Sequence, residues 1–390
     1  MGGRDGLEGL RDDVRAFVRE VVIPAEVREG GHGIDDALRT ELQQHARERG
    51  IFAPHAPVEY GGMGLDVRDQ SVIFEEVGYS LLGPVALNAA APDEGNIHLL
   101  DRVAGPQQRS RYLEPLATGE VRSCFAMTEP APGAGSDPAA LRTTATREGD
   151  HWVLNGRKWY ITGAVGAAFA IVMARTSDIE GRHGATMFLV DTENPGWRLE
   201  RVIEGLDEGF AGGHAEIVLD DCRVPDDAVL GEVDRGFEYA QVRLAPARLT
   251  HCMRWLGIAR RSQDIALRRA GERELFGDRL GSLGMAQQLL ADSEIDIAAS
   301  RGLIRQAAEV LDAGGSAGQE TSIAKTFVAE AVNRVVDRSL QICGSLGVSE
   351  DLPLGRYLRE VRPFRIYDGP SETHRWAIAR RALRRVESVA

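Results

Sequence analysis

Apolar positions early in the chain recur at helical spacing. Leu10, Val14, Phe17, Val18 and Val21 fall on one face, and Pro24 then predicts an end or a kink. The run Tyr60-Gly61-Gly62-Met63-Gly64 predicts a turn, followed by a second helical stretch over 70–82 that stops at Gly83-Pro84. Residues 86–92 are rich in alanine, which suits both a helix and a wall of small side chains beside a pocket. From about 123 to 233 the period changes. Trp152-Val153-Leu154 and the run from Lys158 to Thr162 flank Asn155-Gly156, a pattern that predicts a β-hairpin. Runs at 170–174, 186–190 and 215–219 predict further strands, separated by turns such as Glu193-Asn194-Pro195-Gly196. After Gly236 the helical period returns, over 237–271 with Pro246 as a kink, over 285–313, and over 319–344 beyond a glycine-rich joint at 314–318. The expected fold is mainly α with a central antiparallel β domain: a helical domain over 1–122, a β domain over 123–235 and a second helical domain over 236–390.

A length of 390 residues exceeds what one core serves, in keeping with several domains. With 59 acidic and 46 basic residues, the net charge of −13 opposes binding to nucleic acid or an anionic membrane. The local basic patch, Arg380, Arg381, Arg384 and Arg385, reads as the solvated face of a helix. Cys124, Cys222, Cys252 and Cys343 lack metal-ligand spacing, so buried free thiols in a reducing compartment are expected, with no metal site. Met1 to Glu8 carries no apolar segment and no run approaches a membrane span, so a cytoplasmic protein is expected.

Three segments carry candidate chemistry. In the first, Cys124-Phe125-Ala126-Met127-Thr128-Glu129 runs into a loop with Gly133, Gly135 and Ser136, where backbone N–H groups and hydroxyls can approach a phosphate or a flat ring. The same loop also suits a plain turn, and it lacks the spacing of a Rossmann phosphate loop. In the second, Trp159-Tyr160-Ile161-Thr162 places an aromatic beside a hydroxyl, an arrangement that suits either a flavin face or a β core. In the third, Tyr367-Asp368-Gly369-Pro370 presents a carboxylate on a tight turn, either as a general base or as part of an ordinary β-turn.

Together and in this order the three segments resemble the acyl-CoA dehydrogenase family, with its T-E-P…G-S-D loop, W-I-T strand and Y-E-G-T turn. Asn155-Gly156-Arg157-Lys158, Arg273 with Phe276-Gly277, Gln341-Ile342-Cys343-Gly344 and Ile378-Ala379-Arg380 also match, so the resemblance spans roughly residues 8–385. It implies a C-terminal four-helix bundle, a homodimer or homotetramer, and FAD held between the β domain and the C-terminal helices. Phe125, Met127, Thr128, Gly135 and Ser136 would line the flavin, and Tyr160, Ile161 and Thr162 would cover its ring. Arg273, Gln341 and Gly344 would meet the FAD of a neighbouring subunit, and Phe276, Pro370 and Glu372 would also touch flavin. Ser136, Arg248, Tyr367 and Gly369 would meet an acyl-CoA or an acyl group on a carrier protein, and an electron-transferring flavoprotein would take the electrons. An acyl-CoA oxidase and a catalytically silent binding protein are the alternatives.

Some positions depart from the family pattern. Ala131 and Pro132 look inserted, Pro370 replaces Thr, and Gly284 and Glu372 each replace Gln. At the position of the base Asp368 stands for Glu, as in a subgroup with an Asp-Gly-Pro turn. The alternative base position on the long helix holds Ala247, which leaves Asp368 as the expected base.

Overall fold

The computed structural model describes residues 4–29, 34–179, 182–207 and 212–387; the first three residues of the segment Met1 to Glu8 lie outside them. The chain opens with α1 (Arg4–Phe17), a π turn (Val18–Val22) and α2 (Ile23–Arg28). Pro24 does not end this stretch. It sits in the first turn of α2, where its missing N–H costs little, and the Ile23 N–H closes the π turn on Val18 O. There follow α3 (Asp36–Glu48), α4 (Val67–Val77), α5 (Gly83–Ala86), α6 (Asp93–Val103), α7 (Pro106–Gln108) and α8 (Glu114–Ala117). Gly83-Pro84 thus starts a short helix, since α4 ends six residues earlier, and residues 87–92 form turns rather than the helix their alanines suggest.

The strands are β1 (Ser123–Ala126), β2 (Thr144–Glu148), β3 (His151–Thr162), β4 (Phe169–Ile179), β5 (Arg182–Asp191), β6 (Trp197–Val202), β7 (His214–Pro225) and β8 (Val229–Leu230). Then come α9 (Gly236–Glu272), a small ribbon of β9 (Glu274–Leu275) and β10 (Asp278–Arg279), α10 (Gly284–Asp312), α11 (Gly318–Cys343), α12 (Ser345–Val348), α13 (Leu354–Val361) and α14 (Ser371–Glu387). Pro246 lies inside α9, which continues through it. The described residues form two compact units: one from those within 4–29, 66–84 and 248–387, the other from those within 34–65 and 85–247. No helix among the described residues is long and apolar enough to cross a membrane.

The second unit is built on an eight-stranded sheet in the order β6-β7-β3-β2-β4-β5-β8, with β1 added against β4. Its ladders are antiparallel except where β1, and one residue of β2, run parallel to β4. The expected hairpin at Asn155-Gly156 is not there. Glu148 pairs with His151, so the chain turns at Gly149-Asp150, and β3 continues through Asn155-Gly156 as a bulge against β7. Glycine serves there for close approach: a Cβ on Gly156 would lie 2.7 Å from Thr143 Cα. Cys124, Leu154, Val172, Phe188, Ile217 and Cys222 form the centre of the sheet core.

In the other unit α11 packs on α10, α13 and α14, and α4 packs on α1 and α10. The Asp312 carboxylate, at the end of α10, accepts from Val67 N–H and Arg68 N–H at 2.9 Å each and so caps α4. At its other end α4 meets α9 backbone to backbone. A Cβ on Gly78 would lie 2.0 Å from Arg254 O, and one on Gly257 would lie 2.3 Å from Gly78 C. All four cysteines are free and buried. Gly78→Val should therefore lower stability by more than about 3 kcal/mol, measured by urea unfolding; an unchanged midpoint would show that the two helices separate without cost.

Candidate active site

Beyond β1 the chain is tied down by one buried carboxylate. Glu129 accepts from Arg142 N–H at 2.7 Å and Thr143 N–H at 2.8 Å, and pairs with Lys158 Nζ at 2.9 Å. Lys158 also donates to Met127 O at 3.1 Å, and Trp159 N–H donates to Thr128 O at 3.0 Å. The first two motif segments, far apart in sequence, thus lie side by side. Burial draws the Lys158 ammonium down to about 8, with Glu129 opposing. Burial also works against the Glu129 charge, but Lys158 and the Thr143 N–H outweigh it and hold the carboxyl below its usual range.

This cradle leaves Thr128, Gly135 and Ser136 exposed and Phe125 and Met127 half-buried. The Arg243 guanidinium lies 4.1 Å over the Phe125 ring. Tyr160 sits in a second bulge of β3 with φ +51°, a strained conformation for an aromatic residue, and is 51% exposed. Ile161 does not present its side chain to a ligand. It is 1% exposed and belongs to the sheet core, which leaves its backbone for any contact. Thr162 Oγ1 meets His214 Nδ1 at 2.9 Å, and His214 Nε2 meets Asp207 Oδ2 at 3.1 Å.

In the other unit a turn carries Asp368 between Tyr367 and Gly369. Asp368 has φ +53° and Gly369 φ +96°, a conformation that glycine takes without strain. A Cβ on Gly369 would also lie 2.8 Å from His374 Nε2. Three donors grip the turn by its carbonyl oxygens: Arg248 Nε and His374 Nε2 reach Asp368 O at 2.9 and 3.1 Å, and Lys325 Nζ reaches Gly369 O at 2.8 Å. Lys325 Nζ also donates to Phe364 O at 2.8 Å, and Trp255 Nε1 donates to the Tyr367 hydroxyl. The Asp368 carboxylate meets His251 Nε2 at 3.3 Å. Among the described residues the Gly369 N–H has no protein acceptor, which leaves it for a ligand.

The remaining site residues lie apart from this turn or at its margin. Arg273 and Phe276 sit on the exposed β9–β10 segment, and Phe276 is 93% exposed. Gln341 and Gly344 are exposed at the end of α11, and Ile342 between them joins Ala266, Ala270 and Leu280 in a small core. Pro370 is half-buried and Glu372 is exposed in the first turn of α14.

Family models describing the N-terminal, middle and C-terminal domains of acyl-CoA dehydrogenases match residues 5–120, 124–222 and 234–383. The chain belongs to the acyl-CoA dehydrogenase family. It is 38% identical over 354 residues to a probable acyl-CoA dehydrogenase, FadE2, of Mycobacterium tuberculosis, covering 89% of this chain and 86% of that one. It is 36% identical over 390 residues to human acyl-CoA dehydrogenase family member 11, but spans only 49% of that protein's length. A solved acyl-CoA dehydrogenase-like structure from Mycobacterium abscessus superimposes with a TM-score of 0.92 at 34% identity, covering 99% of this chain and 100% of that one.

The exposed hydroxyls of Thr128 and Ser136, the open space beside Gly135 and the flat exposed Tyr160 fit the edge and face of a flavin. The roles of four residues were not read from the sequence: Lys158, which lies in a matched motif, as a loop anchor, and His251, Lys325 and His374 as partners of the turn at 368–369. Lys325 had a compositional signal, because Lys158 and Lys325 are the only lysines in the chain. Both are fully buried. His251 and His374 had none, since their partners lie more than a hundred residues away or on a turn whose geometry is tertiary.

Burial first, then the charges of Arg248 and Lys325, lower His374 to about 4 from an ordinary 6.5. Above pH 6.5 both folded and unfolded chains keep this ring neutral; between 6.5 and 4 only the unfolded chain takes up the proton. Stability is therefore lost as the solution is acidified through that window. His374→Gln should flatten this part of the stability–pH curve, measured by urea unfolding at several pH values. Equal slopes in the two proteins would contradict the assignment.

Proposed function

We propose that this chain is an FAD-dependent acyl-CoA dehydrogenase, converting an acyl-CoA thioester to its trans-2-enoyl form. The observation that carries the reading is the turn at 368–369, where a carboxylate and an unengaged backbone N–H lie on neighbouring residues of a turn pinned by three donors. Asp368 takes the α proton. The Gly369 N–H donates to the thioester carbonyl oxygen, where charge develops as that proton leaves. Arg248 keeps a fixed positive charge beside the turn, suited to the phosphate-rich CoA portion. Bound FAD supplies the acceptor for the hydride of the β carbon. Thr128, Ser136, Tyr160 and Thr162 hold and cover it, and Ser136 also meets the thioester ligand. A soluble electron-transferring flavoprotein is the proposed acceptor of the electrons, and a homodimer or homotetramer the proposed assembly.

The purified protein should carry about one FAD per chain and bleach anaerobically with acyl-CoAs of suitable length. Asp368→Asn keeps the shape of the turn and should keep the flavin, yet lose flavin reduction by about a thousandfold or more. A colourless protein that cannot be reconstituted with FAD would overturn the cofactor, and near-normal bleaching by Asp368→Asn would overturn the base.

A further inference from the structure

The Asp368 side chain is one methylene shorter than a glutamate, so its placement has less reach to spare, and α9 brings a specific partner to it. His251 is 6% exposed, with its ring centroid 5.0 Å from that of Tyr367 and 6.1 Å from that of Phe364, which restrict its rotation. One ring nitrogen, Nδ1, lies 3.2 Å from Arg254 Nη2. A guanidinium has donors and no acceptor and does not deprotonate, so Nδ1 must accept and the ring hydrogen sits on Nε2. That nitrogen lies 3.3 Å from Asp368 Oδ2.

We propose that His251 is the positioning residue of the base: Arg254 fixes its tautomer, and its Nε2–H orients the Asp368 carboxylate and stabilises its charged form. The inference rests on Asp368 being the base. Other charged or titratable groups surround the turn: Arg248, Cys252 and Arg254 from α9, Lys325 from α11 and His374 from α14. Arg248 and His374 bond the Asp368 backbone carbonyl, whereas His251 reaches the carboxylate itself. The acidic limb of the pH profile therefore reports on His251 more directly than on those two.

The test uses the FAD-loaded enzyme and acyl-CoA-driven anaerobic flavin reduction, followed from pH 5 to 9 (~0.5-unit steps). His251→Phe keeps the ring and removes the donor. It should retain the flavin, slow reduction by about tenfold to a hundredfold, and move the acidic limb upward by about one pH unit. His251→Gln, whose amide N–H can replace the donor, should recover most of the rate and the position of the limb. A rate and limb like the wild type, or a slower rate with an unmoved limb, would overturn the proposal. A second reading is independent of the His251→Phe fold: nitrogen NMR of the histidine-labelled wild-type holoenzyme, assigned with His251→Gln, should show Nε2 protonated and Nδ1 bare, and the opposite tautomer would overturn it. Asp368→Asn separates the two levels. If it still reduces flavin the base reading fails; if it does not, while His251→Phe behaves as wild type, only this inference fails.

Discussion

A buried ammonium ion must find oxygen partners, because the cost of removing it from water otherwise exceeds what packing returns. This chain has two lysines among 46 basic residues, and it buries both completely. Lys158 takes its oxygens from Met127 O and the Glu129 carboxylate, and Lys325 takes its from Phe364 O and Gly369 O. Each lysine thereby gathers a loop onto a rigid element: Lys158 on strand β3, Lys325 on helix α11. An arginine would not serve equally well, since a planar five-donor fork cannot be satisfied by two or three oxygens arranged around a point charge.

The chemistry follows from where those oxygens lie. When Lys325, Arg248 and His374 draw the carbonyls of residues 368 and 369 to themselves, the two peptide orientations are set. Asp368 is held at φ +53° as a consequence, a conformation that costs energy unless its surroundings enforce it. In the other unit, Glu129 gathers three backbone N–H groups besides Lys158, so the loop that follows β1 is closed from inside while its hydroxyls stay outward. Tyr160, also at positive φ, is the exposed product of a bulge that begins just after Lys158. In both units a buried lysine lies within a few residues of, or bonds to, strained backbone at a candidate functional position.

How much of this could be read in advance depended on whether the signal was periodic or tertiary. The long helices were legible because their apolar positions repeat over many turns; α9, α10 and α11 each begin and end within one residue of their expected bounds. The hairpin at Asn155-Gly156 was misplaced because a glycine required for close approach to Thr143 carries the same letters as a glycine required for a turn. The strand β6 gave little warning, as only Trp197 of its six residues is buried. Pro24, expected to end or kink the helix, instead falls in the first turn of α2 directly after a π turn, where its missing N–H costs little. The three motif segments were legible by resemblance, but their supports were not. Lys325, His251 and His374 act through contacts with a turn that is 43 residues, 117 residues and 6 residues away in the chain from Asp368, and no local pattern announces such partners.

Lys325→Met keeps much of the side-chain volume while removing charge and donors, and so tests most directly whether the Lys325 ammonium shapes the turn that carries the proposed base. The measurement is the rate of anaerobic flavin reduction by saturating acyl-CoA, with flavin content and cooperative unfolding checked alongside. Lys325→Met should fold and keep its full FAD content, with its flavin reduced about a hundredfold more slowly than in the wild type. A folded, flavin-loaded Lys325→Met that is reduced at the wild-type rate would contradict that role of the ammonium.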